Sequence, residues 1–446
     1  MTPEPRALPR PRVGVVLAAG RSERLGPLTG GGSKALLPLG GLRLVERAIG
    51  TLLSLGVERV VVVAGYHAGP VAAVAQRTSP GRTQVIEADD WEAGNGASLM
   101  AAEAAVGEEP ALLLITADHV FSEGALGEVA GAGRPAMLVD PGPEAAARTE
   151  ATRVRANPDG FVVELGKTVD SPLVDCGVFL LPPSVFDAAR AAREGGDATL
   201  SGALNELVAR ERLTAVPLRA GEWWQDVDTP EDVVTAARFL RRSLPRQSDG
   251  PVARLLNRRL SVPISWLLAR FRPSPDLLSA LSLAVGLASA LFLGRGDGVL
   301  GGILAQACSV LDGVDGEVAR LTLRAGPRGT VLDGFLDRLG DAAIAAGLGL
   351  WAAGQGVGPA TAVPLVAAAT AGAILSMATK DRVAALGLQP PSERRIGWLL
   401  GGRDGRLFLI AILAVVGQPV WALAVTAATS LLASALRVGF ARHPPP

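Results

Sequence analysis

Four aspartates dominate the chemistry available to this 446-residue chain. Asp312, Asp315, Asp333 and Asp337 fall in the stretch DGVDGEVARLTLRAGPRGTVLDGFLD, inside or beside two apolar runs long enough to be membrane helices. Within each run the acids are spaced i,i+3 or i,i+4, so each pair shares a helix face. The Gly/Pro/Arg turn from Arg324 to Gly329 can fold the two faces together. Carboxylates that converge at a membrane repel one another unless they hold divalent cations, and an intramembrane metal site is the expected result. Neutralisation by Arg320, Arg324 and Arg338 alone would not explain the small residues Gly316, Ala319 and Gly329 set between the acids. Asp337 lies one turn beyond Asp333 on the same helix face. Asp341 continues that face one turn deeper, either as a neutral acid or as a partner for Arg382.

A second constellation lies near the N-terminus. The apolar run Val13 to Ala18 leads into AGRSERLG and a glycine-rich turn that ends at Ser33-Lys34. A strand feeding such a loop is a phosphate cradle, in which backbone N–H groups point at the anion and a lysine adds charge. Asp118 follows another apolar run in Thr-Ala-Asp-His, a place that suits Mg²⁺ bound to a nucleotide. His119 stands beside it in a supporting or structural role, and His67, in a Gly-Tyr-His turn, is expected to be structural.

The elements that must position these residues differ between the two halves. Apolar strand runs at Val13 to Ala18, Val60 to Ala64, Ala111 to Thr116 and Ala136 to Val139 alternate with helical stretches at 43–56, 68–77, 97–106 and 123–131. That alternation predicts a Rossmann-like α/β layer fold with a mainly parallel sheet, whose ligands sit at the carboxyl ends of the strands. Pro230 to Arg242 reads as a helix with acids first and arginines last, and Ser243 to Pro251 breaks it. The expected domains are therefore 1–245 and 246–446. Residues 252–272 alternate Leu, Ile and Trp with Arg, the pattern of an amphipathic helix at a membrane surface. Candidate spans follow at about 276–294, 298–318, 330–353, 358–379, 406–417 and 419–437, which makes an all-α polytopic membrane domain of about six helices.

Composition narrows the partners. The chain is 49% apolar with zero net charge, and it has no extended basic patch with interleaved aromatics, which argues against nucleic acid. Cys176 and Cys308 fall in different expected domains, so a disulfide framework is not expected. The N-terminal residues lack an apolar core before Val13 and do not form a signal peptide. Of 43 basic residues only Lys34, Lys167 and Lys380 are lysines, which suggests that a compact ammonium is wanted at those places. With the N-terminus inside, Arg254 to Arg272, Arg320 to Arg328, Lys380 to Arg406 and Arg437 to Arg442 lie on the cytoplasmic side, against Arg295 opposite. This orientation puts both termini and both acid sites in the cytoplasm, at the inner (plasma) membrane.

Two family resemblances follow from these residues. Asp312, Asp315, Gly316, Ala319, Arg320, Gly329, Asp333 and Asp337 match, position by position, the signature that resembles the CDP-alcohol phosphatidyltransferases. The resemblance implies that CMP is displaced from a CDP-alcohol by a second alcohol, with the first three aspartates on two divalent metals and the fourth as general base. Two such ions could clamp a pyrophosphate and stabilise the leaving CMP. The segments LAAGRSERLG, SKALLPLGG, AGNGASL, TADH and WWQDVDTPED resemble the sugar-nucleotide pyrophosphorylases over most of residues 13–240. Here the resemblance implies attack of a sugar phosphate on the α-phosphate of an NTP. Gly20, Arg24 and Lys34 match its triphosphate signature, Asn95, Gly96 and Ser98 the part bordering the base, and Asp118 and Asp228 the two Mg²⁺ ligands. Lys167 and Asp175-Cys176-Gly177 match the positions that contact the sugar phosphate. Ser22 replaces a glycine often seen in the first loop, a change that a turn tolerates.

One half that makes an activated nucleotide-alcohol, fused to one that consumes a CDP-alcohol, points to CTP as the nucleotide. The arrangement resembles the bifunctional inositol-1-phosphate cytidylyltransferase/di-myo-inositol phosphate phosphate synthase family. The resemblance implies CTP, inositol 1-phosphate and CDP-inositol as small-molecule partners, the lipid bilayer, and Mg²⁺ or Mn²⁺ in both active sites. A homodimer through the membrane domain belongs to the same expectation. Two alternatives are another polyol or lipid alcohol in the same two reactions, and a nucleotide-sensing N-terminal half without turnover. Intact Lys34, Asp118 and Asp228 argue against the second, and Arg394 and Arg395 favour a phosphorylated acceptor.

Overall fold

The computed structural model describes residues 7–441 apart from residue 22, residues 143–150, residue 247, residues 389–395 and residues 397 and 399. Ser22, Arg394, Arg395 and Arg442 thus lie outside the described residues. The chain divides into two compact units, Met1–Leu240 and Arg241–Pro446.

The first unit is built on a sheet whose inner strands show no polar alternation. β1 (Val13–Ala18), β2 (Arg59–Ala64), β3 (Thr83–Glu87) and β4 (Leu112–Thr116) pair in parallel in the order β3-β2-β1-β4. All six residues of β1 are buried, as a strand covered on both faces requires. The period of two separates the covers. Val16, Val60 and Val62 pack with Ile49 of α1 (Leu44–Ser54) and Val71 of α2 (Ala68–Thr78). Val15, Val61 and Val63 pack on the opposite face with Leu99 of α3 (Asn95–Ala101).

The rest of the sheet departs from the parallel pattern. β5 (His119–Phe121) leaves the main sheet, and β6 (Ala136–Asp140), β7 (Arg153–Ala156) and β8 (Val162–Gly166) follow. β9 (Val174–Leu181) runs antiparallel to β4, β6 and β7. β10 (Thr214–Pro217) returns parallel to β6, and β11 (Trp224–Asp226) pairs antiparallel with β5. The register Val178↔Ile115 sets Gly177 and Asp175 beside the carboxyl end of β4. The reversal of β9 thus delivers a second loop to the edge where β4 ends at Thr116. Helices α4 (Ser184–Glu194) and α5 (Leu200–Arg210) cover this half, and α6 (Pro230–Ser243) ends it.

The second unit contains α7 (Arg258–Leu268), α8 (Pro275–Gly294), α9 (Gly298–Leu321), α10 (Pro327–Gly354), α11 (Pro359–Ala385), α12 (Arg403–Val415) and α13 (Pro419–Phe440). The last six correspond to the expected spans. Four of them, α8, α9, α11 and α13, are long and apolar enough to cross a membrane. α10 carries Asp333, Asp337, Arg338 and Asp341 through its first half, and α12 has only 13 residues. Charge in one and length in the other separate them from the apolar set.

The segment before α8 is amphipathic in an inverted sense. Asn257, Ser261 and Ser265 are buried, whereas Leu255, Leu260, Leu267 and Phe271 are exposed. Its polar edge is held by Glu317 of α9, which is fully buried and accepts from Arg258 Nη1 at 2.8 Å, Ser261 Oγ at 2.7 Å and Ser265 Oγ at 2.6 Å. Arg258 also donates to both oxygens of Asp249 at 2.8 and 3.0 Å. Gly313 makes room for this clasp, since a Cβ there would lie 2.3 Å from Arg258 Nη1. Removing one partner of a buried pair strands the other in a low dielectric. Glu317→Ala is therefore expected to lower the stability of the membrane unit by about 3–5 kcal/mol, read as a fall in thermal unfolding temperature in detergent, with Glu317→Gln losing less.

Candidate active sites

In the first unit the loop after β1 and the turns after β4 and β11 converge on one ammonium. Lys34 Nζ lies 2.5 Å from Asp118 Oδ2 and 2.6 Å from Asp228 Oδ1. Arg24 Nη2 donates to the other oxygen of Asp228 at 2.9 Å. On its far side Asp118 meets His119 Nδ1 at 2.7 Å, and Thr116 Oγ1 reaches the same nitrogen at 2.6 Å. The imidazole lies parallel to the Trp224 indole, 5.4 Å between centroids, and Trp224 Nε1 donates to Asp140 at 2.7 Å. Gly177, at φ +71°, completes the wall; a Cβ there would lie 2.7 Å from Thr116 Oγ1.

A third acid, Asp226, joins the expected pair Asp118 and Asp228. Ligand atoms of Asp118, His119 and Asp226 lie within 4.8 Å of one another, while Asp228 is engaged by Lys34 and Arg24. Asp226 Oδ1 is buried without a hydrogen-bond partner. The turn that carries both acids is tied by Asp232. Its carboxylate accepts from the backbone N–H groups of Asp228 and Thr229 at 3.2 and 2.9 Å, from the Thr229 hydroxyl at 2.8 Å and from Gln225 at 2.9 Å.

Electrostatics follow from this crowding. Burial pulls the Lys34 ammonium down, but Asp118, Asp228 and Asp226 outweigh it and raise its pKa. Burial pushes Asp118 up, yet Lys34 and His119 hold it well below the usual carboxylate range. For His119 the pull of Asp226 and Asp118 overcomes burial and brings the imidazole to about 9. Burial raises Asp226 to about 6, with Asp118 and Asp228 adding to the shift against His119.

A cavity of about 790 Å³ opens beside these groups and is lined by Arg24, Asn95, Asp118, Lys167, Asp175 and Asp226 among others. Gly20 lies in the loop after β1, where a Cβ would meet no protein atom within 4 Å. The segment expected to border the base is divided by its packing. Asn95 faces the cavity, but Ser98 is buried and donates to the Gly94 carbonyl at 3.3 Å. Gly96 is pressed against the backbone of Ala198 and Thr199.

In the second unit α9 and α10 bring Asp312, Asp333 and Asp337 together, with ligand oxygens within 4.8 Å of one another. Asp315 adjoins this group beside Asp333, and its carboxylate accepts from the Ser279 hydroxyl and the Gly316 N–H. A cavity of about 700 Å³ meets Asp312, Asp333, Asp337, Lys380, Arg403 and Arg437. Of the small motif positions, Ala319 is buried in α9, Gly316 sits under the Arg320 guanidinium and Gly329 opens on free space. Arg320 itself donates to the Leu244 carbonyl at 2.8 Å.

Two placements change the sequence reading. Asp341 does not pair with Arg382, which is exposed; it meets Arg338 at 2.9 Å, Arg406 at 2.7 Å and Arg403 at 3.2 Å. Arg403, not singled out in the sequence, reaches Asp312 Oδ1 at 2.5 Å and Asp337 Oδ1 at 2.9 Å. Its signal was a charged Arg-Asp-Gly-Arg entry to an apolar run, the same signature that marked the aspartates.

Metal fits both clusters by donor chemistry. The second offers three carboxylates and the first offers two, Asp118 and Asp226, beside His119; in each, one buried carboxylate oxygen, Asp312 Oδ1 or Asp226 Oδ1, has no hydrogen bond. Hard oxygen donors of this kind suit Mg²⁺ or Mn²⁺.

Comparison with known proteins divides the chain in the same way. A family profile described as MobA-like NTP transferase domain matches residues 14–210, and one described as CDP-alcohol phosphatidyltransferase matches residues 273–393. The bifunctional IPC transferase and DIPP synthase of Rubrobacter xylanophilus is 36% identical over 432 residues, 96% of this chain and 96% of that protein. The protein of the same name from Aquifex aeolicus is 33% identical over 416 residues, 90% of this chain and 92% of the relative. Among solved structures, the inositol-1-phosphate CTP transferase from T. maritima covers 52% of this chain and 98% of its own, at 22% identity and a TM-score of 0.46.

Asp175 gives the first site a pH signature. Burial raises its carboxyl to about 6, against a hydrogen bond from the Gly177 N–H at 2.8 Å. A carboxyl raised in the folded state stabilises below its unfolded pKa and loses that contribution as pH rises through about 6. Asp175→Asn, which keeps the acceptor, is expected to be more stable than the unsubstituted protein at pH 8 by of order 1–2 kcal/mol after allowance for solvent contact. The gain should shrink at pH 5, as thermal unfolding at the two pH values would read.

Proposed function

The chain belongs to the family of bifunctional IPC transferases and DIPP synthases, and from that premise we propose the following division of labour among its residues. The first unit joins CTP and inositol 1-phosphate to give CDP-inositol and pyrophosphate. The second joins CDP-inositol to another inositol 1-phosphate, giving di-myo-inositol phosphate phosphate and CMP. The observation that carries this reading is end-to-end similarity to relatives named for both activities, with an acid cluster present in each unit.

In the first reaction the phosphate of inositol 1-phosphate attacks the α-phosphorus of CTP, and the bond to the pyrophosphate leaving group breaks. Displacement at phosphorus depends on positioning and charge neutralisation, so cations and backbone N–H groups suffice. Lys34 and Arg24 supply fixed charge to the triphosphate, and the glycine-rich loop at Gly20 supplies N–H donors. Lys167 and Asp175 orient the incoming inositol phosphate from the cavity wall. Asp118 and Asp226 would hold the divalent ion, with Asp228 freed for it when the triphosphate draws Lys34 and Arg24 away.

In the second reaction a hydroxyl of the acceptor attacks the phosphorus that carries inositol, and CMP departs. Asp337 takes the hydroxyl proton. Asp312, Asp315 and Asp333, with Asp337, would hold divalent ions, whose charge offsets the diphosphate and the departing CMP. Gly316, Ala319, Arg320 and Gly329 shape the part of the cleft where the nucleotide lies. The second unit lies in the inner membrane, and the concentration of arginines in alternate connections supports a cytoplasmic position for both sites, on the side that holds CTP.

Two substitutions separate the steps. Asp337→Asn should abolish CMP release while pyrophosphate release from CTP and inositol 1-phosphate continues. Lys34→Ala should reduce pyrophosphate release by about 10² or more but leave turnover of supplied CDP-inositol intact. Purified protein with Mg²⁺, CTP and a panel of polyol phosphates, with products identified by mass, tests the substrate. CDP-alcohol formation from other members of the panel but not from inositol 1-phosphate would refute the assignment.

A further inference from the structure

Arg403 occupies a position that neither family match accounts for. Its side chain is anchored by Nε and, through Nη2, by a 3.6 Å contact to Cys308 Sγ, whereas Nη1 makes no directed hydrogen bond. Nε donates to Asp341 Oδ1 at 3.2 Å, and Asp341 is itself fixed by Arg406 Nη2 at 2.7 Å and Arg338 Nη1 at 2.9 Å. At the other end Nη1 stands 2.5 Å from Asp312 Oδ1 and 2.9 Å from Asp337 Oδ1. Although the first of these is a close charge pair, Nη1 and Asp312 Oδ1 are both buried without a directed hydrogen bond. Coulomb attraction holds that end without the alignment that makes an arginine–carboxylate contact strong.

Charge balance explains why the guanidinium is there. One carboxylate, Asp341, faces three guanidiniums and cannot neutralise them. Asp312, Asp333 and Asp337 crowd within 4.8 Å and repel. Arg338 reaches Asp337 only at 3.7 Å, whereas the Arg403 guanidinium reaches from Asp341 to both Asp312 and Asp337 at 2.5 and 2.9 Å and relieves both imbalances. A divalent ion on the same carboxylates would relieve the second more fully, and it needs the oxygens that Nη1 touches.

We propose that Arg403 is a positioning residue that competes with divalent cations for Asp312 and Asp337, tethered by Asp341 so that it yields these oxygens without leaving the site. The proposal rests on the reading of this cluster as a divalent-cation site. It assigns Asp341 a role outside the four-aspartate motif, as the post on which the competing cation turns. Cation affinity is then set in part by α12, an element that contributes no candidate metal ligand.

The test is Mn²⁺ binding to the full-length protein in detergent, by titration calorimetry, with the membrane-site component defined as the part lost in Asp312→Asn. Arg403→Gln should tighten that component about tenfold, near the low end of coupling between close charge pairs. Arg406→Gln removes a second positive charge from beside Asp341 without touching Asp312 or Asp337, and should tighten it less. Should Arg403→Gln fail to fold, Arg403→Lys, whose one ammonium cannot serve both ends, should show a smaller tightening. Unchanged or weaker affinity in a folded Arg403 variant overturns the proposal, as does equal tightening by Arg403→Gln and Arg406→Gln. Absence of any Asp312-dependent component would overturn the metal reading itself, and the proposal with it.

Discussion

Repulsion among carboxylates is the constraint on which both units depend. Each brings three or more acids together in a partly buried place, where mutual repulsion exceeds what water would screen. Neither fold can hold them without cations, and each supplies some from its own chain. In the first unit Lys34 stands between Asp118 and Asp228 and His119 flanks Asp118. In the second, Arg338, Arg403 and Arg406 surround Asp341 and extend to Asp312 and Asp337. The unlike folds meet one electrostatic demand with different means. A sheet gathers acids from loops at strand ends, whereas a helix bundle gathers them from the i,i+4 faces of two long helices.

The constraint also explains how much of the molecule was legible from sequence. Periodicity along a single element is strong where its environment is uniform, so the buried parallel strands β1, β2 and β4 and the helices α8 to α13 were visible. The aspartates of α9 and α10 were visible for the same reason, because charge inside an apolar run has few bland explanations. What escaped depends on contacts between elements. The reversal of β9, the approach of Asp226 to Asp118 and His119, and the reach of Arg403 from α12 arise from packing that no local pattern encodes. The edge strand β3 was missed because its residues are mostly half-exposed and polar-apolar mixed.

The segment from Ala253 to Phe271 shows how a correct pattern can conceal its meaning. Alternation of apolar and basic residues predicted an amphipathic helix, and the helix is amphipathic. Yet Asn257, Ser261 and Ser265 turn inward to serve Glu317 and its neighbours, and the leucines turn outward. In water this arrangement would be unstable; against lipid it leaves apolar side chains in an apolar medium and polar ones satisfied inside. A moment calculated from sequence has a direction along the helix surface but cannot say which side is protein. The buried acid on α9 decides it.

The three lysines complete the physical logic. Every one borders a candidate site: Lys34 between two carboxylates, Lys167 on the wall of the first cavity and Lys380 on the wall of the second. The arginines, by contrast, largely do structural work in which a planar fork is useful, as when Arg258 grips both oxygens of Asp249 while reaching Glu317. A guanidinium offers several directed donors and holds a fixed geometry, whereas an ammonium is a compact charge that can exchange one set of oxygens for another. A site that binds and releases phosphates in each turnover favours the second property. Arg403 is the exception that fits the rule, because its Nη1 lacks a directed bond to Asp312 and so behaves there as a point charge.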